Sequence, residues 1–258
     1  MKKKSKLDII IQARIGSSRL KGKVLKNYRK LNLLSILMER LKKCKNVNDI
    51  IICTTNLKED NKIAKFCKKK NIKFFRGKKN DVLSRYYHTA KKFRTDIVIR
   101  ITSDCPLVDY RIINTMTEFY LKKKIDYYAN TYPLPTNYPD GMDVEIFNFK
   151  TLKVSFIKAK LPSEREHVTP YMYNSGRFVT MRKKLNRDFS KYRFCIDYQK
   201  DFLLLKNIID SFKNKIYSVS MYQLIKFVKK KKHLINYQKH IKRNEGWTSV
   251  LIKDEKFR

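Results

Sequence analysis

The chain has 258 residues, 42% of them hydrophobic and 12% aromatic, so it can bury a substantial core and wholesale disorder is excluded. It carries 61 lysines and arginines against 23 acidic residues, a formal net charge of +38, which is typical of proteins that bind nucleic acid, an anionic membrane or a phosphorylated substrate. Lysine, isoleucine and asparagine share AT-rich codons, however, and the lysines are scattered along the chain, so the total charge does not identify the partner.

The five cysteines and the first residues favour a soluble, cytoplasmic protein. The cysteines are widely spaced and form no C-x-x-C pair, so neither a zinc site nor a disulfide framework is expected. The chain starts with several lysines, but Asp8, Gln12 and Arg14 interrupt the apolar stretch that follows, which argues against a signal peptide. No segment approaches the roughly 18 apolar residues of a membrane span, so no membrane insertion is expected.

The first half of the chain alternates short apolar runs with amphipathic runs. This rhythm predicts right-handed βαβ units and an α/β fold, with a mostly parallel central sheet and helices on both of its faces. A buried strand is recognised by a short apolar run, and a helix by apolar residues at helical spacing. The predicted strands are Leu7–Ala13, Asp49–Thr54, Ile72–Phe75 and Asp96–Ile101, and the predicted helices are Leu33–Cys44, Glu59–Lys70, Asp81–Phe93 (with Asp81 as N-cap) and Tyr110–Leu121.

Beyond about residue 125 the pattern changes to a mixed β region that is expected to lie over the site. Ser163 opens an S-x-x-E capping box and predicts a helix start, and Asp201 is a second candidate N-cap. The remaining predicted elements are the strands Tyr127–Tyr132, Val144–Phe149, Arg177–Arg182 and Tyr192–Asp197, the helix Asp201–Phe212, and one amphipathic helix from Ser220 that ends in Lys229–Lys232 before a polar tail.

The same change of pattern suggests how the chain is divided. We expect one domain over residues 1–217, with a nucleotide half at about 7–124 and an acceptor half at about 125–217. Residues 218–258 are expected to form a helical C-terminal extension.

The most informative segment is QARIGSSRLKGKVL, which directly follows the first predicted strand. Its glycines allow close backbone approach, and its hydroxyl and backbone N–H groups can surround anionic oxygens. Arg14, Arg19 and Lys23 add three positive charges within ten residues, and arginine can grip a phosphate with two hydrogen bonds. The segment is not a P-loop, because five residues separate Gly16 from Gly22 and no Ser or Thr follows the lysine. The alternative is a solvated basic turn, but the end of a parallel strand is where α/β folds bind ligands.

Two aspartates at predicted strand ends are candidate Mg²⁺ ligands. Asp104 lies in RITSDCPL, and Asp197 lies in CIDY. Mg²⁺ in nucleotide sites takes one or two protein carboxylates together with phosphate oxygens and water. An aspartate after a strand is also a common turn or N-cap residue, so each residue alone is weak evidence.

These motifs together resemble the CTP-dependent sugar cytidylyltransferases, and most of all the spore-coat polysaccharide group. Acylneuraminate and 3-deoxy-manno-octulosonate cytidylyltransferases are more distant relatives. The resemblance covers about residues 7–212 and continues through Thr54-Thr55, the stretch from Arg76 to Tyr86, RITSDCPLVD, YPDGMDVE and SEREHVTPY. Lys21 stands where the related loops usually have proline, whereas Asp197 is retained.

The resemblance implies a nucleotide-diphospho-sugar-transferase-like fold and the transfer of CMP from CTP to an acceptor, with release of pyrophosphate and dependence on Mg²⁺. It implies that Arg14, Lys23, Asp104 and Asp197 are catalytic, the last two as the metal ligands. The residues expected to bind the nucleotide are Gln12, Ala13, Arg14, Gly16, Ser17, Arg19, Lys23, Thr54, Thr55, Arg76, Arg85 and Ser103.

The motifs of the second half are expected to face the acceptor, which is a sugar or a related precursor of a surface polysaccharide. Asp140, Asp143 and Glu145 can bind hydroxyls or an amine, or can cap a turn. His167 is either a general base or a histidine fixed within its helix. The expected acceptor residues are Tyr138, Asp140, Gly141, Asp143, Glu145, Arg165, Glu166 and His167.

Two other functions remain open at the sequence level. A nucleotide-sugar glycosyltransferase would share the fold, but it commonly holds its metal with D-x-D, which does not occur here. A non-catalytic RNA- or membrane-binding protein would concentrate its basic residues on one face. The expected partners are therefore CTP and a small acceptor, without nucleic acid, and a homodimer is left open.

Overall fold

The computed structural model describes residues 5–231, 233–234, 241, 243 and 245–257. The strands within these residues are β1 (Leu7–Gln12), β2 (Asp49–Thr55), β3 (Lys73–Gly77), β4 (Ile97–Thr102), β5 (Tyr127–Ala129), β6 (Glu145–Asn148) and β7 (Thr180–Arg182). The helices are α1 (Leu33–Leu41), α2 (Asn61–Lys69), α3 (Val82–Phe93), α4 (Tyr110–Leu121), α5 (Phe149–Lys158), α6 (Pro162–His167), α7 (Pro170–Asn174), α8 (Gln199–Phe212), α9 (Met221–Lys230) and α10 (Glu245–Phe257).

The described strands form one mixed sheet in the order β3-β2-β1-β4-β6-β5-β7. The first four strands along the chain are parallel, and β6 enters antiparallel between β4 and β5. The predicted α/β class and the mixed second half are therefore confirmed. The parallel arrangement brings the carboxyl ends of β1 and β4 side by side, with Gln12 opposite Thr102.

The buried strand β1 shows why helices must cover both faces of this sheet. Successive side chains of a strand point to opposite faces, and Ile9, Ile10 and Ile11 are all completely buried. Ile9 and Ile11 belong to a core that includes residues of α1 and α4, whereas Ile10 belongs to a separate core that includes residues of α3. A strand that is buried on both faces therefore has a continuous run of apolar residues in its sequence.

Local capping fixes the start of α3, which borders the site. The Asp81 carboxylate accepts a hydrogen bond from the backbone N–H of Ser84 at 2.8 Å, as predicted for an N-cap. The cap places the residues before α3 beside the carboxyl ends of the central strands.

The predicted strand Tyr192–Asp197 is wrong, and its hydrogen bonds show why. Arg193 forms a single bridge with Asp140, but the backbone N–H of Ile196 donates to the carbonyl of Asp104 at 2.8 Å. The segment therefore passes from one neighbour to another before a second pair can form. It remains extended, and it carries Asp197 towards the end of β4.

Several predicted helix boundaries in the second half are also wrong. Ser163 does not cap α6, because the helix begins at Pro162 and the Glu164 carboxylate accepts the N–H of Leu161 at 3.0 Å. Helix α8 begins at Gln199, so Asp201 lies inside its first turn rather than at the N-cap. The predicted strand through Phe149 ends at Asn148, because α5 begins at Phe149.

The described C-terminal residues include two helices, in the segment that was expected to be a helical extension. Helix α9 confirms the amphipathic run after Ser220, and the polar tail beyond it contains α10, whose bounds the sequence did not predict. The predicted run Lys229–Lys232 extends past the end of α9 at Lys230, and residue 232 lies outside the described residues. A second apolar core extends from Leu20 to Leu234 and joins α8 and α9 to the rest of the chain. No helix in the described part of the chain is both long enough and apolar enough to cross a membrane.

Candidate active site

A cavity of about 680 Å³ lies at the carboxyl ends of β1 and β4. The loop after β1, the segment before α3, the turn after β4, helix α6 and helix α10 surround it. Its lining includes eight basic and three acidic side chains, so the cavity is strongly positive. These charged residues are Arg14, Arg19, Lys23, Lys79, Arg85, Lys160, Arg165, Lys253, Asp104, Glu166 and Asp197.

The loop after β1 is anchored at its base by a buried carboxylate. Asp60 accepts the backbone N–H of Ile15 at 2.6 Å and also bonds the hydroxyl of Thr55. The N–H of Gly22 returns to the carbonyl of Ile15 at 3.0 Å. Gly22 has φ +71°, a conformation that side-chain-bearing residues rarely adopt. The hydrogen bond between Gly22 and Ile15 thus closes the loop, and Lys23, which follows Gly22, lies in the cavity wall.

Lys23 joins the two predicted metal ligands. Its Nζ lies 3.2 Å from Asp104 and 2.7 Å from Asp197, and only 7% of the residue is exposed. Arg19 Nη2 lies 2.9 Å from Asp197. Burial raises the pKa of the Asp197 carboxyl, but Lys23 and Arg19 outweigh burial and hold that pKa well below its usual range. The ammonium of Lys23 has a raised pKa, because Asp104 and Asp197 outweigh the effect of its burial.

Arg193 holds Asp197 from the other side. Its Nη2 donates to Asp197 Oδ2 at 2.9 Å, and the same guanidinium bonds Asp201 and Asp140. Sequence reasoning missed this residue, although an arginine four positions before a candidate ligand was a usable signal. Because Arg193 is buried, it fixes the orientation of the Asp197 carboxylate rather than facing the cavity.

The donor set of the cavity fits Mg²⁺. Asp104 and Asp197 are hard oxygen donors, and their sharing of one ammonium shows that their carboxylates converge on the same point. A second group of donors, Asp104 with Cys105 and Cys195, has ligand atoms within 4.8 Å of one another. The hydrogen bond from Cys195 lowers the pKa of the Cys105 thiol. Burial and the nearby charge of Asp104 outweigh this effect, so the pKa rises from its ordinary value of 9.0 to about 11. This thiol therefore stays protonated and does not suit a hard cation.

Most of the residues predicted to bind the nucleotide lie together in the cavity wall. They are Gln12, Ala13, Arg14, Ser17, Arg19, Lys23, Arg85 and Ser103. Gly16, Thr54, Thr55 and Arg76 are not in the wall. Arg76 donates to the carbonyls of Thr55 and Leu57, each at 2.9 Å, and so braces the end of β2. Thr54 and Thr55 are completely buried in β2, because their strand ends beneath the loop.

The predicted acceptor residues divide into two groups. Arg165, Glu166 and His167 line the cavity, whereas Tyr138, Asp140, Gly141, Asp143 and Glu145 do not. Of the second group, Tyr138, Asp140, Gly141 and Glu145 are buried. The structure therefore does not bring this second group to the cavity.

Hydrogen bonds explain where the acidic members of the second group lie. Glu145 accepts the hydroxyls of Tyr127 and Thr169, both at 2.6 Å, and pairs with Arg100. Arg100 in turn donates to Gln12, a residue of the cavity wall, at 3.1 Å. Glu145 therefore contacts the wall only indirectly, through Arg100. Asp143 accepts the hydroxyl of Thr131 at 2.7 Å.

His167 is a neutral side chain at neutral pH. Burial and the nearby charge of Arg100 lower its pKa to about 3. So low a pKa makes the imidazole a weak proton acceptor, which favours a positioning role over general base catalysis.

Ten residues of the wall are not among the predicted site residues: Ser18, Val24, Lys79, Asn80, Val82, Thr102, Lys160, Pro162, Lys253 and Phe257. Ser18, Val24 and Thr102 lie inside the quoted motifs, as do Lys79, Asn80 and Val82. No motif marks the other four: Lys160 lies just before α6 and Pro162 begins it, and Lys253 and Phe257 lie on α10, for which the sequence shows no site signal.

Comparisons with known proteins agree with this geometry. Residues 9–244 match the protein family described as Cytidylyltransferase. An uncharacterized protein of Methanocaldococcus jannaschii is 36% identical over 236 residues, which is 90% of this chain and 94% of that protein. The spore coat polysaccharide biosynthesis protein SpsF of Bacillus subtilis is 31% identical over 207 residues, covering 76% of this chain and 83% of its own. The structure of a cytidylyltransferase from Leptospira borgpetersenii superposes with a TM-score of 0.85 at 34% identity, covering 93% of this chain and 100% of the other.

Proposed function

This chain belongs to the cytidylyltransferase family and is a nucleotidyltransferase, and from that premise we propose its reaction. It transfers CMP from CTP to a sugar or related precursor of a surface polysaccharide, releases pyrophosphate and requires Mg²⁺. The similarity to a spore coat polysaccharide biosynthesis protein supports this class of acceptor.

One observation carries the proposal: Lys23 bridges Asp104 and Asp197 inside a positive cavity. Ordinary surface ion pairs do not bring two carboxylates and a buried ammonium together at the carboxyl edge of a central sheet. A triphosphate and a divalent cation together need this combination, because the phosphates require cations and the metal requires carboxylates.

The residues of the loop would bind the phosphates. Arg14 has no salt bridge with any described residue, and Arg19 uses part of its guanidinium for Asp197. A guanidinium has five N–H donors, so Arg19 retains donors for phosphate oxygens. The hydroxyl of Ser17 lies in the same wall. Together these groups would hold the pyrophosphate portion and stabilise the charge that develops on it.

Asp104 and Asp197 would hold Mg²⁺, which neutralises phosphate charge when bound. Arg193 keeps Asp197 oriented through its 2.9 Å hydrogen bond. An acceptor oxygen then attacks the α-phosphorus in line with the leaving pyrophosphate. Positioning and electrostatic stabilisation supply most of the rate in such transfers, so no protein nucleophile is needed.

The experiment incubates the full chain with CTP, Mg²⁺ and a panel of sugar acceptors while pyrophosphate is measured. Pyrophosphate release is expected from wild type, whereas release of a nucleoside diphosphate from sugar nucleotides would indicate a glycosyltransferase instead. Asp104→Asn should lower the rate by about a hundredfold or more, because several kcal/mol of charge stabilisation are lost. Glu118→Gln, an exposed carboxylate on α4, is the matched control. Near-normal turnover of Asp104→Asn would contradict the metal assignment.

A cytoplasmic location stays a prediction.

A further inference from the structure

Helix α10 contributes directly to the cavity wall. Lys253 and Phe257 line the cavity. Between them, Asp254 is only 6% exposed, and its Oδ1 accepts the backbone N–H of Ser163 at 2.9 Å. This bond ties the last described helix to α6, the helix that carries Arg165, Glu166 and His167.

The residues just before α6 and helix α10 each contribute one lysine without an ion pair to the cavity wall. Arg165 in the same wall is already engaged, since it donates to the carbonyl of Phe156 at 2.7 Å and pairs with Asp81. Lys160 and Lys253, by contrast, form no salt bridge with any residue that the structure describes. Two exposed lysines from distant parts of the sequence therefore line the cavity without an ion pair to a described carboxylate.

The position of these lysines places them on the acceptor side of the reaction. The loop after β1, with Arg14 and Arg19, lies at the end of β1 and supplies the phosphate-binding groups. In-line attack requires the acceptor to approach the α-phosphorus from the side opposite the leaving pyrophosphate. Apart from the end of β1 and its loop, Asp197, the end of β4 and its turn, and α3 with the segment before it, the rest of the described wall consists of residues 160–167 and α10.

We propose that Lys160 and Lys253 form an anion subsite that binds a phosphate or carboxylate group of the acceptor, which makes α10 part of the active site. The term acceptor rests on the proposed function, but the anion subsite itself does not. Charge-assisted hydrogen bonds from two lysines supply both affinity and a preference for charged over neutral acceptors. Asp254 is the positioning residue that keeps Lys253 in place.

The first test measures anion binding without turnover. The full chain is saturated with Mg²⁺ and cytidine 5′-(α,β-methylene)triphosphate, a CTP analogue that cannot release pyrophosphate, and is titrated calorimetrically with inorganic phosphate and, separately, with acetate. Lys253→Gln and Lys160→Gln should each weaken the tighter-bound anion about tenfold, and the double variant should weaken it further. The control is Lys256→Gln, an exposed lysine on the same helix that does not line the cavity, and it should bind like wild type.

Two results would overturn the subsite: unchanged anion binding in the double variant, or an equal loss in Lys256→Gln. The second test runs the acceptor panel with matched sugar phosphates, sugar acids and neutral sugars. Faster turnover of a charged class, with a KM raised by Lys253→Gln while the KM for CTP is unchanged, supports the proposal and identifies the anion. Equal turnover of the neutral sugars would refute it. If phosphate binds through the two lysines but no acceptor yields pyrophosphate, the proposed function fails while the subsite stands.

Discussion

Replacing Lys23 by methionine removes the ammonium that joins the two central carboxylates. Methionine keeps a similar chain length, so the change deletes the charge with little change in volume. In the variant, Asp104 and Asp197 face each other without the cation that lies 3.2 and 2.7 Å from them. The variant therefore tests whether these carboxylates form one electrostatic unit.

The expected loss of stability follows from the burial of the group. Removing one partner of a buried ion pair costs roughly 3–5 kcal/mol, because the other charge is left without compensation. Asp197 keeps Arg19 and Arg193, both at 2.9 Å, and Asp104 is partly exposed. We therefore expect the lower end of that range, about 3 kcal/mol.

The assay is urea unfolding of wild type and Lys23→Met, each with and without Mg²⁺. Added Mg²⁺ should restore part of the lost stability, about 1.4 kcal/mol at ten times its dissociation constant, because under the proposed metal assignment only the folded state binds it between the two carboxylates. Lys21→Met, an exposed lysine in the same loop, should change stability by less than about 0.5 kcal/mol. Equal stability of Lys23→Met and wild type, or no gain from Mg²⁺, would refute the reasoning.

Three further predictions concern other parts of the molecule. Arg40→Met should destabilise the protein by roughly 4 kcal/mol or more in urea unfolding, because the buried guanidinium donates four hydrogen bonds to backbone carbonyls that would lose their partner; a loss under about 1 kcal/mol would contradict this. Gly141→Ala should lower the melting temperature and pyrophosphate release together, since Gly141 has φ +92° and a Cβ there would lie 2.5 Å from the backbone nitrogen of Cys195; unchanged values would show that the segment leading to Asp197 yields easily. The pKa of His167 is lowered from 6.5 to about 3, so the stabilisation from its neutral form is complete above pH 6.5 and is lost as pH falls towards 3. Between pH 7 and 5, His167→Gln should therefore lose about 2 kcal/mol less stability than wild type, and parallel losses would disprove the shift.

The sequence predicted best those helices and strands whose signals, apolar spacing and capping residues, all lie within the element itself. The strand β1 is an apolar run buried on both faces, and α3 has both helical spacing and a capping Asp81 that bonds Ser84. The segment Tyr192–Asp197 has the same apolar character, but it forms a single bridge rather than a strand. Strand pairing depends on a partner in register, and local sequence does not contain that partner.

The candidate site shows the same division. The loop from Gln12 to Lys23 was recognisable because glycines, hydroxyls and arginines lie close together in the sequence. The contributions of Arg193 and Asp60 were not recognisable, because each acts by bonding a residue that only the fold brings near it. Lys253 is the clearest case, since it reaches the cavity from the last helix described.

The sequence by itself determined the α/β class, and it predicted the phosphate-binding loop and the two candidate metal ligands, because these depend on residue type and short-range spacing. Tertiary structure decided which of the 61 basic residues serve the site. It placed Arg76 at the end of β2, where it bonds Thr55, and brought Lys160 and Lys253 to the cavity. A charge acts over only about 8 Å at physiological salt, so its function depends on where the fold places it rather than on the net charge of the chain.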